Sequence, residues 1–496
     1  MNPSEQTPEH HGADRNGRRP CLPKPSAASP AAAEAGRCGS DVSPAAAGHS
    51  ITRRTFIGTT AAAAAFAALP RRLRAATRRT SPNEKLNIAA IGIGGQGRAD
   101  LGAQAQAGDN IVALCDVDAA YASGAFNDYP KARRYTDYRV MFDREKDIDA
   151  VMIATPDHQH AIITITALKL GKHVYCEKPL TRTVFEAREV AKAAADAQVA
   201  TQMGNQGMQF AGNRQIDEWI QGGAIGPVRE VHVWSDRPTQ RGRMPLWWPQ
   251  GVERPKDTPP VPSTLDWDKW LGPAPYRPYS PAYAPFVWRG WWDFGSGGIG
   301  DMGIHNMAPV FHALKLGAPD SVSGSSTALV SDSVPLASLV HYQFPARGDL
   351  PPVTLHWYDG GLLPPRPEEM EEESQLDPED GIIFVGEKGK ILVEGWGGEH
   401  PRILKGGQGR YHRPPQDLGA LDRHHAEWSA ACKTGSPTRS DFAFAGPLTE
   451  AVLLGSVCIH HGGKKLRWDG ANLRFTNDEP ANRFIRYQYR EGWSLG

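Results

Sequence analysis

The sequence predicts an α/β protein built around a doubly wound parallel sheet, and three observations support that prediction. Short, almost continuous apolar runs recur from Leu86 onward, as expected of strands that are buried on both faces. Stretches with helical spacing separate these runs. A glycine-rich loop follows the first run directly, at the point where a strand would pass into a helix. Strands and helices that alternate in this way are typical of a parallel sheet covered by helices on both faces.

The composition of the chain limits the functions it can have. At 496 residues the chain is longer than one hydrophobic core usually serves, so we expect two folded domains with additional segments. Lys and Arg total 55, as do Asp and Glu, and this balance offers no general attraction for nucleic acid or an acidic membrane surface. The 6 cysteines lack Cys-x-x-Cys spacing, so neither a disulfide scaffold nor a metal site is expected. A small molecule is the expected ligand.

The first 76 residues have the features of a leader. Residues 1–51 are rich in Pro, Ala, Gly and Ser and are predicted to be disordered. Residues 52–76 place Arg53-Arg54 before an Ala-rich apolar run at 59–69, which is the order of a twin-arginine export signal. An Ala-rich helix with basic flanks is the alternative. The run is too short to span a bilayer, and no other stretch looks apolar enough, so we expect a periplasmic protein without a stable transmembrane segment.

The loop after the first predicted strand has the spacing of a dinucleotide-binding turn. Residues 92–97 read Gly-Ile-Gly-Gly-Gln-Gly and precede a predicted helix at 98–107. Gly92 would allow the tight turn, Gly94 would let the backbone approach a pyrophosphate, and Gly97 would let the helix lie close to the strand. The helix N-terminus would add unpaired N–H groups for the phosphates. The candidate cofactor-binding residues here are Gly92, Gly94, Gly95, Gln96, Gly97 and Arg98.

The second predicted strand ends in an acidic residue that indicates which dinucleotide is bound. The apolar run 111–115 ends at Asp116, roughly twenty residues after the glycines, where a carboxylate would accept hydrogen bonds from the adenosine ribose. Such a carboxylate would repel a 2′-phosphate, so NAD is favoured over NADP, although Arg98 could still assist a phosphate. Asp116 as an ordinary acid at the end of a strand is the alternative.

Two further strands end in polar loops. Predicted strands at 150–154, counted third, and 174–176, counted fourth, each lead into such a loop, and a helix at 184–198 precedes a last strand at 199–203. Ligands of doubly wound sheets bind outside the carboxyl ends of the strands, where these loops emerge. The helix that follows the strand at 150–154 and its loop is predicted to begin at residue 161. The candidate ligand-contacting residues in these loops are Thr155, Pro156, His158, His160, Glu177 and Lys178. The two histidines could line the nicotinamide site or be exposed, and Glu177 is expected to anchor its loop.

The order of these motifs resembles the glucose-fructose oxidoreductase/inositol dehydrogenase family, usually called Gfo/Idh/MocA. The resemblance rests on the glycine loop, Asp116, the Thr-Pro pair with a histidine two residues later, and the Glu-Lys-Pro that begins at Glu177. It implies a Rossmann domain that binds NAD(P) at 84–204 and a C-terminal α+β domain at 205–475. That second domain would have an open-faced, largely antiparallel sheet, often used for contacts in a homo-oligomer, here a dimer or tetramer.

The region assigned to the second domain contains alternating strands and an unusual insertion. Residues 228–234 alternate as a half-buried strand, and 338–344 do so less cleanly. Residues 238–292 are dense in Pro and Trp without a regular period, and exposing so much aromatic surface would be costly. We therefore expect an ordered loop near the active site or at an oligomer contact. Residues 476–496 are interpreted as a C-terminal extension.

A predicted helix at 297–316 carries the remaining candidate catalytic groups. Asp301 and His305 are four residues apart and share one face of this helix, and they match the Asp-x-x-x-His of the family. A cap for Asp301 and an interior position for His305 are the structural alternative. With an ordinary pKa near 6.5, His305 would be the base. Lys178 would polarise the substrate oxygen or share the proton, and Asp301 would orient the sugar and the histidine.

Three hypotheses about function follow from these residues. The first is an NAD-dependent oxidoreductase that acts on a sugar or polyol, either as a dehydrogenase or as an enzyme that recycles a tightly bound cofactor. The second is a redox-assisted glycosidase or lyase acting on a glycoside, and the third is a dinucleotide-binding protein without catalysis, which the intact catalytic set argues against. Asn205, Gln206 and Arg214 follow the last strand of the first domain and are candidates for substrate contact or for the surface.

Overall fold

The computed structural model describes residues 85–404 and 419–495. These residues all belong to one compact unit of the chain, residues 70–496. The predicted disordered leader at 1–51 and the export signal at 52–76 lie outside the described residues.

The first domain contains a sheet of six parallel strands, in the order β3-β2-β1-β4-β5-β6. The strands are β1 (Asn87–Ile91), β2 (Asn110–Cys115), β3 (Arg133–Tyr135), β4 (Ala150–Ile153), β5 (His173–Glu177) and β6 (Thr201–Gly204). This order confirms the doubly wound prediction. The strands that the sequence pattern predicts as third and fourth are β4 and β5 in the structure. The pattern does not detect the short edge strand β3, which has two exposed arginines and no apolar run.

Five helices connect these strands, and one of them begins earlier than predicted. They are α1 (Gly95–Gln106), α2 (Ser123–Asp128), α3 (Tyr138–Arg144), α4 (Asp157–Lys169) and α5 (Val184–Ala197). The start of α4 at Asp157, rather than 161, puts His158 and His160 in its first turn instead of a loop. Pro156 fits just outside this helix start, and the Asp157 carboxylate suits the positive end of the helix dipole.

The second domain contains a nine-stranded sheet in the order β13-β12-β11-β7-β10-β9-β8-β14-β15. Its strands are β7 (Val228–Ser235), β8 (Ser321–Ser326), β9 (Ser338–Phe344), β10 (Val353–Tyr358), β11 (Asp380–Gly386), β12 (Gly389–Glu394), β13 (His400–Leu404), β14 (Leu466–Asp469) and β15 (Arg474–Phe475). Among its described pairs only β7 and β10 run parallel. The prediction of a largely antiparallel second sheet is therefore confirmed.

Five helices follow the first domain in the chain. They are α6 (Ala211–Gln221), α7 (Trp267–Leu271), α8 (Gly297–Leu314), α9 (Gly419–Thr434) and α10 (Phe442–His460). Helices α8 and α10 lie against the sheet, and α10 also packs on α5. Arg188 and Glu450 pair across that contact at 2.7 Å. One continuous apolar core thus runs through both domains.

Helix α10 corrects an expectation about membrane spans. By length and composition this helix is apolar enough to cross a membrane, so the expectation that no other stretch qualifies was wrong. Most of the helix is buried inside the domain, as is usual for a core helix. It is the one helix of this kind in the described ranges.

The aromatic insertion at 238–292 is ordered but mostly irregular, with α7 and a short 3-10 turn at Val287–Gly290. Its apolar side chains form a cluster of their own together with Phe294, composed of Leu265, Trp267, Trp270, Leu271, Ala274, Tyr283, Ala284, Trp288, Trp291 and Phe294. The segment predicted as a C-terminal extension packs back on both domains. Tyr489 donates to Glu186 of α5 at 2.5 Å, and the Arg490 side chain donates to the Gly272 carbonyl at 3.2 Å.

Candidate active site

A cavity of about 300 Å³ lies at the carboxyl ends of the parallel strands. Polar loops after β1, β2, β4 and β5 form one side of it, and the aromatic insertion and the start of α8 form the other. Among the residues proposed from sequence, the lining includes Gly92, Gly94, Gln96, Asp116, Thr155, Pro156, Glu177, Lys178 and Asp301. The insertion contributes Trp247, Trp248, Lys269, Trp270, Trp288 and Arg289. The insertion therefore forms a wall of this cavity. Of the two expected placements, near the active site or at an oligomer contact, the first agrees with this position.

The glycine loop has the close approaches that its spacing predicts. Gly92 has a φ of +76°, and a Cβ there would lie 2.7 Å from the backbone at Ala154. A Cβ on Gly97 would lie 1.9 Å from the Gly92 carbonyl oxygen, so only glycine lets α1 approach β1 this closely. The ring of Tyr121 lies over Gly94, at 2.1 Å from the Cβ position. Sequence reasoning did not identify this tyrosine, which the cavity lining also includes.

Asp116 connects the glycine loop to the end of β2. Its carboxylate accepts the backbone N–H of Ile93 at 2.8 Å and that of Asp118 at 2.9 Å. Burial raises the pKa of Asp116 to about 6, although these hydrogen bonds oppose the shift. Each oxygen keeps a lone pair for a further donor, such as a ribose hydroxyl. Arg98 instead pairs with Asp128 at 2.7 Å and is not part of the described lining.

Two cations and two carboxylates meet at the junction of the domains. Lys178 donates from Nζ to Oδ1 of Asp301 at 2.6 Å, and Arg289 Nε lies 3.6 Å from the same oxygen. Arg289 also contacts Asp157 Oδ1 at 3.2 Å. Burial opposes ionisation of Asp301, but the charges of Lys178 and Arg289 outweigh it and hold the pKa of Asp301 well below its usual range. For Asp157, burial prevails and raises the pKa to about 6.

Sequence reasoning missed two members of this network. Asp157 lies inside the Thr-Pro-Asp motif, and its place next to Pro156 was a signal for a helix start that could have identified it. Arg289 comes from the irregular insertion, where no spacing rule relates it to Asp301. Its side chain is 12% exposed and stacks over the Trp288 ring at 4.4 Å.

His305 lies one helical turn beyond Asp301 and is buried, at 6% exposure. Its ring meets Trp396 edge to face at 5.1 Å, and its Nδ1 has no hydrogen-bond partner among the described residues. Burial, with the nearby charge of Lys178, lowers the pKa of His305 well below its ordinary value, so the expectation of an ordinary pKa was wrong. The ring is therefore neutral at neutral pH. His305 is absent from the described cavity lining, which Asp301 and Lys178 reach.

His158 and His160 lie behind the cavity wall rather than in it. The Nε2 of His158 meets the Trp270 carbonyl at 3.0 Å, which fixes the insertion against α4. The two nitrogens of His160 meet the carbonyl oxygens of Pro179 and Thr155, at 2.7 and 2.8 Å. Burial lowers the pKa of His158 to about 3 and that of His160 to about 4. Neither ring is solvent-exposed, and both hold loops that carry lining residues.

Glu177 anchors the loop that carries Lys178. Its carboxylate accepts from Gln206 Nε2 at 2.7 Å and from the Lys178 N–H at 3.2 Å. Burial raises the pKa of Glu177 to about 8. Gln206 thus supports this loop from behind, while Asn205 is buried with both amide atoms unpartnered within the described ranges. Arg214 is exposed on α6, and the described lining contains none of Asn205, Gln206 and Arg214.

The opposite end of the cavity is closed by the C-terminal segment. Trp493 lines the cavity beside Arg139 of α3, whose guanidinium stacks on the indole at 4.8 Å. Asp137 and Tyr138 line the same end. Because Asp116 also faces this end from β2, the cavity has an aromatic and charged pocket next to the candidate ribose contact.

Two family models match the chain. Residues 86–205 match the model of the Gfo/Idh/MocA oxidoreductase family described as an NAD-binding Rossmann fold, which agrees with the prediction of NAD. Residues 245–343 match the model of that family's C-terminal alpha/beta domain.

Curated relatives match part of the chain. An inositol 2-dehydrogenase of Salmonella paratyphi B is 31% identical over 150 residues, which is 30% of this chain and 44% of the relative. A levoglucosan dehydrogenase of Pseudarthrobacter phenanthrenivorans is 34% identical over 118 residues, covering 23% of this chain and 29% of the relative. The matches thus span less than half the length of these relatives.

Solved structures share the fold over most of the chain. An inositol dehydrogenase homolog from Azotobacter vinelandii, complexed with NADH and myo-inositol, has a TM-score of 0.53 at 17% identity, covering 79% of this chain and 100% of that one. An aldose-aldose oxidoreductase from Caulobacter crescentus has a TM-score of 0.52 at 17% identity, over 78% and 100% of the two chains. The two family models and these solved structures therefore agree on a Rossmann fold for residues 86–205 and a separate alpha/beta domain after it.

Proposed function

We propose that this protein is an NAD-dependent oxidoreductase that transfers a hydride between a sugar or polyol hydroxyl and the nicotinamide. The observation that carries the proposal is the Lys178–Asp301 pair, which is largely buried and lies in the same cavity as the glycine loop and Asp116. Relatives named as inositol and levoglucosan dehydrogenases support the substrate class. The tryptophans of the cavity wall suit the C–H faces of a sugar, while Lys178 and Asp301 suit its hydroxyls.

The residues present fit a dinucleotide. The approaches at Gly92 and Gly97 leave no space for a Cβ at either position, and Gly94, which caps the N-terminus of α1 without a side-chain hydrogen bond, lines the cavity. Asp116 would hold the ribose, and the Arg139–Trp493 stack would bound the adenine. Once bound, NAD supplies the hydride acceptor that alcohol oxidation requires.

The protein's own groups would manage the proton. Lys178 reaches the cavity and would donate a hydrogen bond to the substrate oxygen while Asp301 fixes its position. Removal of the hydroxyl proton needs an acceptor. His305 remains the candidate, since its ring is neutral and its Nδ1 is unpartnered among the described residues. Arg289, which contacts the carboxylates of Asp157 and Asp301, would keep Asp301 ionised throughout the reaction.

Turnover measurements on a Lys178→Met variant test this proposal. Methionine keeps the length of the side chain and removes its charge, and Lys192→Met is the matched control on the exposed side of α5. Dinucleotide absorbance is followed with a panel of polyols and sugars. We expect oxidation by the full-length protein and by the control, and a loss of at least about a hundredfold in kcat for Lys178→Met. Equal kcat in both variants would refute the assignment.

A redox-assisted glycosidase or lyase is the alternative outcome of the same assay. Oxidation of a sugar to a ketone makes the neighbouring C–H acidic, elimination breaks the glycosidic bond, and the hydride then returns. Lys178 and His305 would serve this reaction as well. Release of an aglycone without net reduction of NAD would assign the protein to this class, and binding of NAD with neither reaction would indicate a protein without catalysis.

We also propose export through the twin-arginine pathway and assembly as a homo-oligomer. Arg53-Arg54 before an apolar run supports export, and free dinucleotide is not expected outside the cytoplasm, which favours a retained cofactor. A double Lys substitution at Arg53 and Arg54 should leave the protein in the cytoplasm on fractionation. The partly exposed face of the nine-stranded sheet is the candidate contact, and light scattering would distinguish a monomer from a dimer or tetramer.

A further inference from the structure

A row of histidines crosses the partly exposed face of the nine-stranded sheet, opposite the face that α8 and α10 cover. His356 on β10 is paired in register with His232 on β7 and with His341 on β9. Glu230 precedes His232 by two residues and therefore lies on the same face. None of these residues belongs to the described lining of the active-site cavity.

Three of these side chains converge on one point. The Nε2 atoms of His232 and His356 each lie 3.2 Å from Oε1 of Glu230. All three atoms lie within 4.8 Å of one another. A tetrahedral zinc ion with bonds of about 2.0–2.1 Å holds its ligand atoms about 3.3 Å apart. The carboxylate-to-imidazole spacing is therefore already close to that of a metal site.

The other ring nitrogens are held by neighbouring side chains. The Nδ1 of His232 lies 3.1 Å from the Tyr358 hydroxyl, and the Nδ1 of His356 contacts that of His341. Partners of this kind fix the orientation of metal-binding imidazoles. The two ligand rings are largely buried, with side-chain exposures of 14% and 16%, while Glu230 is 44% exposed and leaves a path from solvent.

Ion pairing alone explains this arrangement poorly. Both rings approach the same oxygen of Glu230, and the rings stack on each other with centroids 5.0 Å apart. The single charge of Glu230 could compensate at most one protonated imidazole, whereas a divalent cation would engage both rings and the carboxylate. Lys390, whose positive charge acts on His232, is itself paired with Glu369 at 2.8 Å.

We propose that Glu230, His232 and His356 form a site for zinc or a similar first-row divalent cation. The three protein ligands leave a fourth position for water. The ion would join β7 to β10, the parallel pair at the middle of the sheet, and would stabilise the folded chain by binding it in preference to the unfolded one. No sequence pattern indicates this site, because its ligands come from distant strands and meet only through sheet register.

Calorimetric titration of the untagged, chelator-treated full-length protein with Zn²⁺ tests the proposal. Glu230→Gln and His356→Gln remove one ligand each, and His312→Gln is the matched control, since His312 pairs with Asp217 on another surface. Histidines of the leader are present in every variant and cancel in the comparison. We expect a saturable event in the parent and in the control that is at least about tenfold weaker in the two ligand variants. Thermal unfolding should show a rise in Tm with Zn²⁺ in the same two proteins only.

Cobalt provides an independent readout. Co²⁺ in a tetrahedral site with nitrogen and oxygen ligands gives visible absorption, which we expect in the parent and not in Glu230→Gln. Glu230 is partly exposed, so this variant should fold even if His356→Gln does not. Equal Zn²⁺ affinity in the parent and Glu230→Gln, or no binding event in the parent, would overturn the proposal. Both outcomes leave the proposed dehydrogenase activity unaffected.

Discussion

Replacing Asp301 by asparagine tests the electrostatics of the active site directly. The substitution preserves the shape of the side chain but removes the charge that Lys178 contacts at 2.6 Å and Arg289 approaches at 3.6 Å. Removing one partner of a buried ion pair costs about 3–5 kcal/mol, because the remaining charge is buried without compensation. Arg289 keeps its contact with Asp157, so we expect the lower end, about 3 kcal/mol.

The loss should depend on pH in a defined direction. Because the pKa of Asp301 in the folded protein lies well below its unfolded value of about 3.9, its ionised form contributes stability above that value. This contribution is lost as pH falls toward the folded pKa. The difference between the parent and Asp301→Asn should therefore be constant from about pH 5 to 7 and shrink below about pH 4.

Urea unfolding of the two proteins measures this difference, with Asp349→Asn as the control. Asp349 lies in an exposed turn, so its substitution by asparagine should change the free energy of unfolding by less than about 0.5 kcal/mol. A loss below about 1 kcal/mol for Asp301→Asn at pH 7, or one that is unchanged on acidification, would show that the buried charges do not depend on this carboxylate.

Three further substitutions test the cofactor end and the Lys178 loop. Gly97→Ala should abolish dinucleotide binding in fluorescence titrations, because its Cβ would lie 1.9 Å from the Gly92 oxygen, whereas Gly102→Ala, with open space around it, should bind normally. Asp116→Ala should raise the KM for NAD at least about tenfold with a smaller change in kcat, since it removes a ribose contact; an unchanged KM would contradict that role. Glu177→Gln tests a carboxyl whose pKa burial raises to about 8. Stability from its protonated form is complete below about pH 4.3 and lost as pH rises through 8, so the glutamine variant should gain on the parent in denaturant midpoint between those values. A constant difference across that range would exclude the shift.

The parallel sheet and its loops could be predicted because their signals are local. A buried strand requires a continuous apolar run, and the turn after β1 requires glycines at fixed spacing. Both requirements concern residues that are close together in the sequence. Lys178 and Asp301 come from different domains, and only the family resemblance indicated that they meet. Edge strand β3 has only three residues, two of them exposed arginines, so it has no apolar pattern to detect.

Features that depend on burial or on irregular backbone were not predictable. Arg289 reaches the site from a segment without a repeating spacing, so no rule related it to Asp157. The pKa of His305 depends on how deeply α8 is buried and on cations supplied by other segments. The apolar pattern alone places His158 and His160 in a loop, whereas the helix begins at Asp157 directly after Pro156, and their placement behind the cavity follows from that start.

The position of Trp493 has a consequence for when the protein can take up its ligand. The end of the cavity next to Asp116 is walled by a residue that is synthesised after both sheets. A nascent chain that has completed only the first domain would lack this wall. Stable capture of a dinucleotide should therefore await translation of the last segment, and a chain truncated after residue 478 should exchange its cofactor faster even where the sheets are intact.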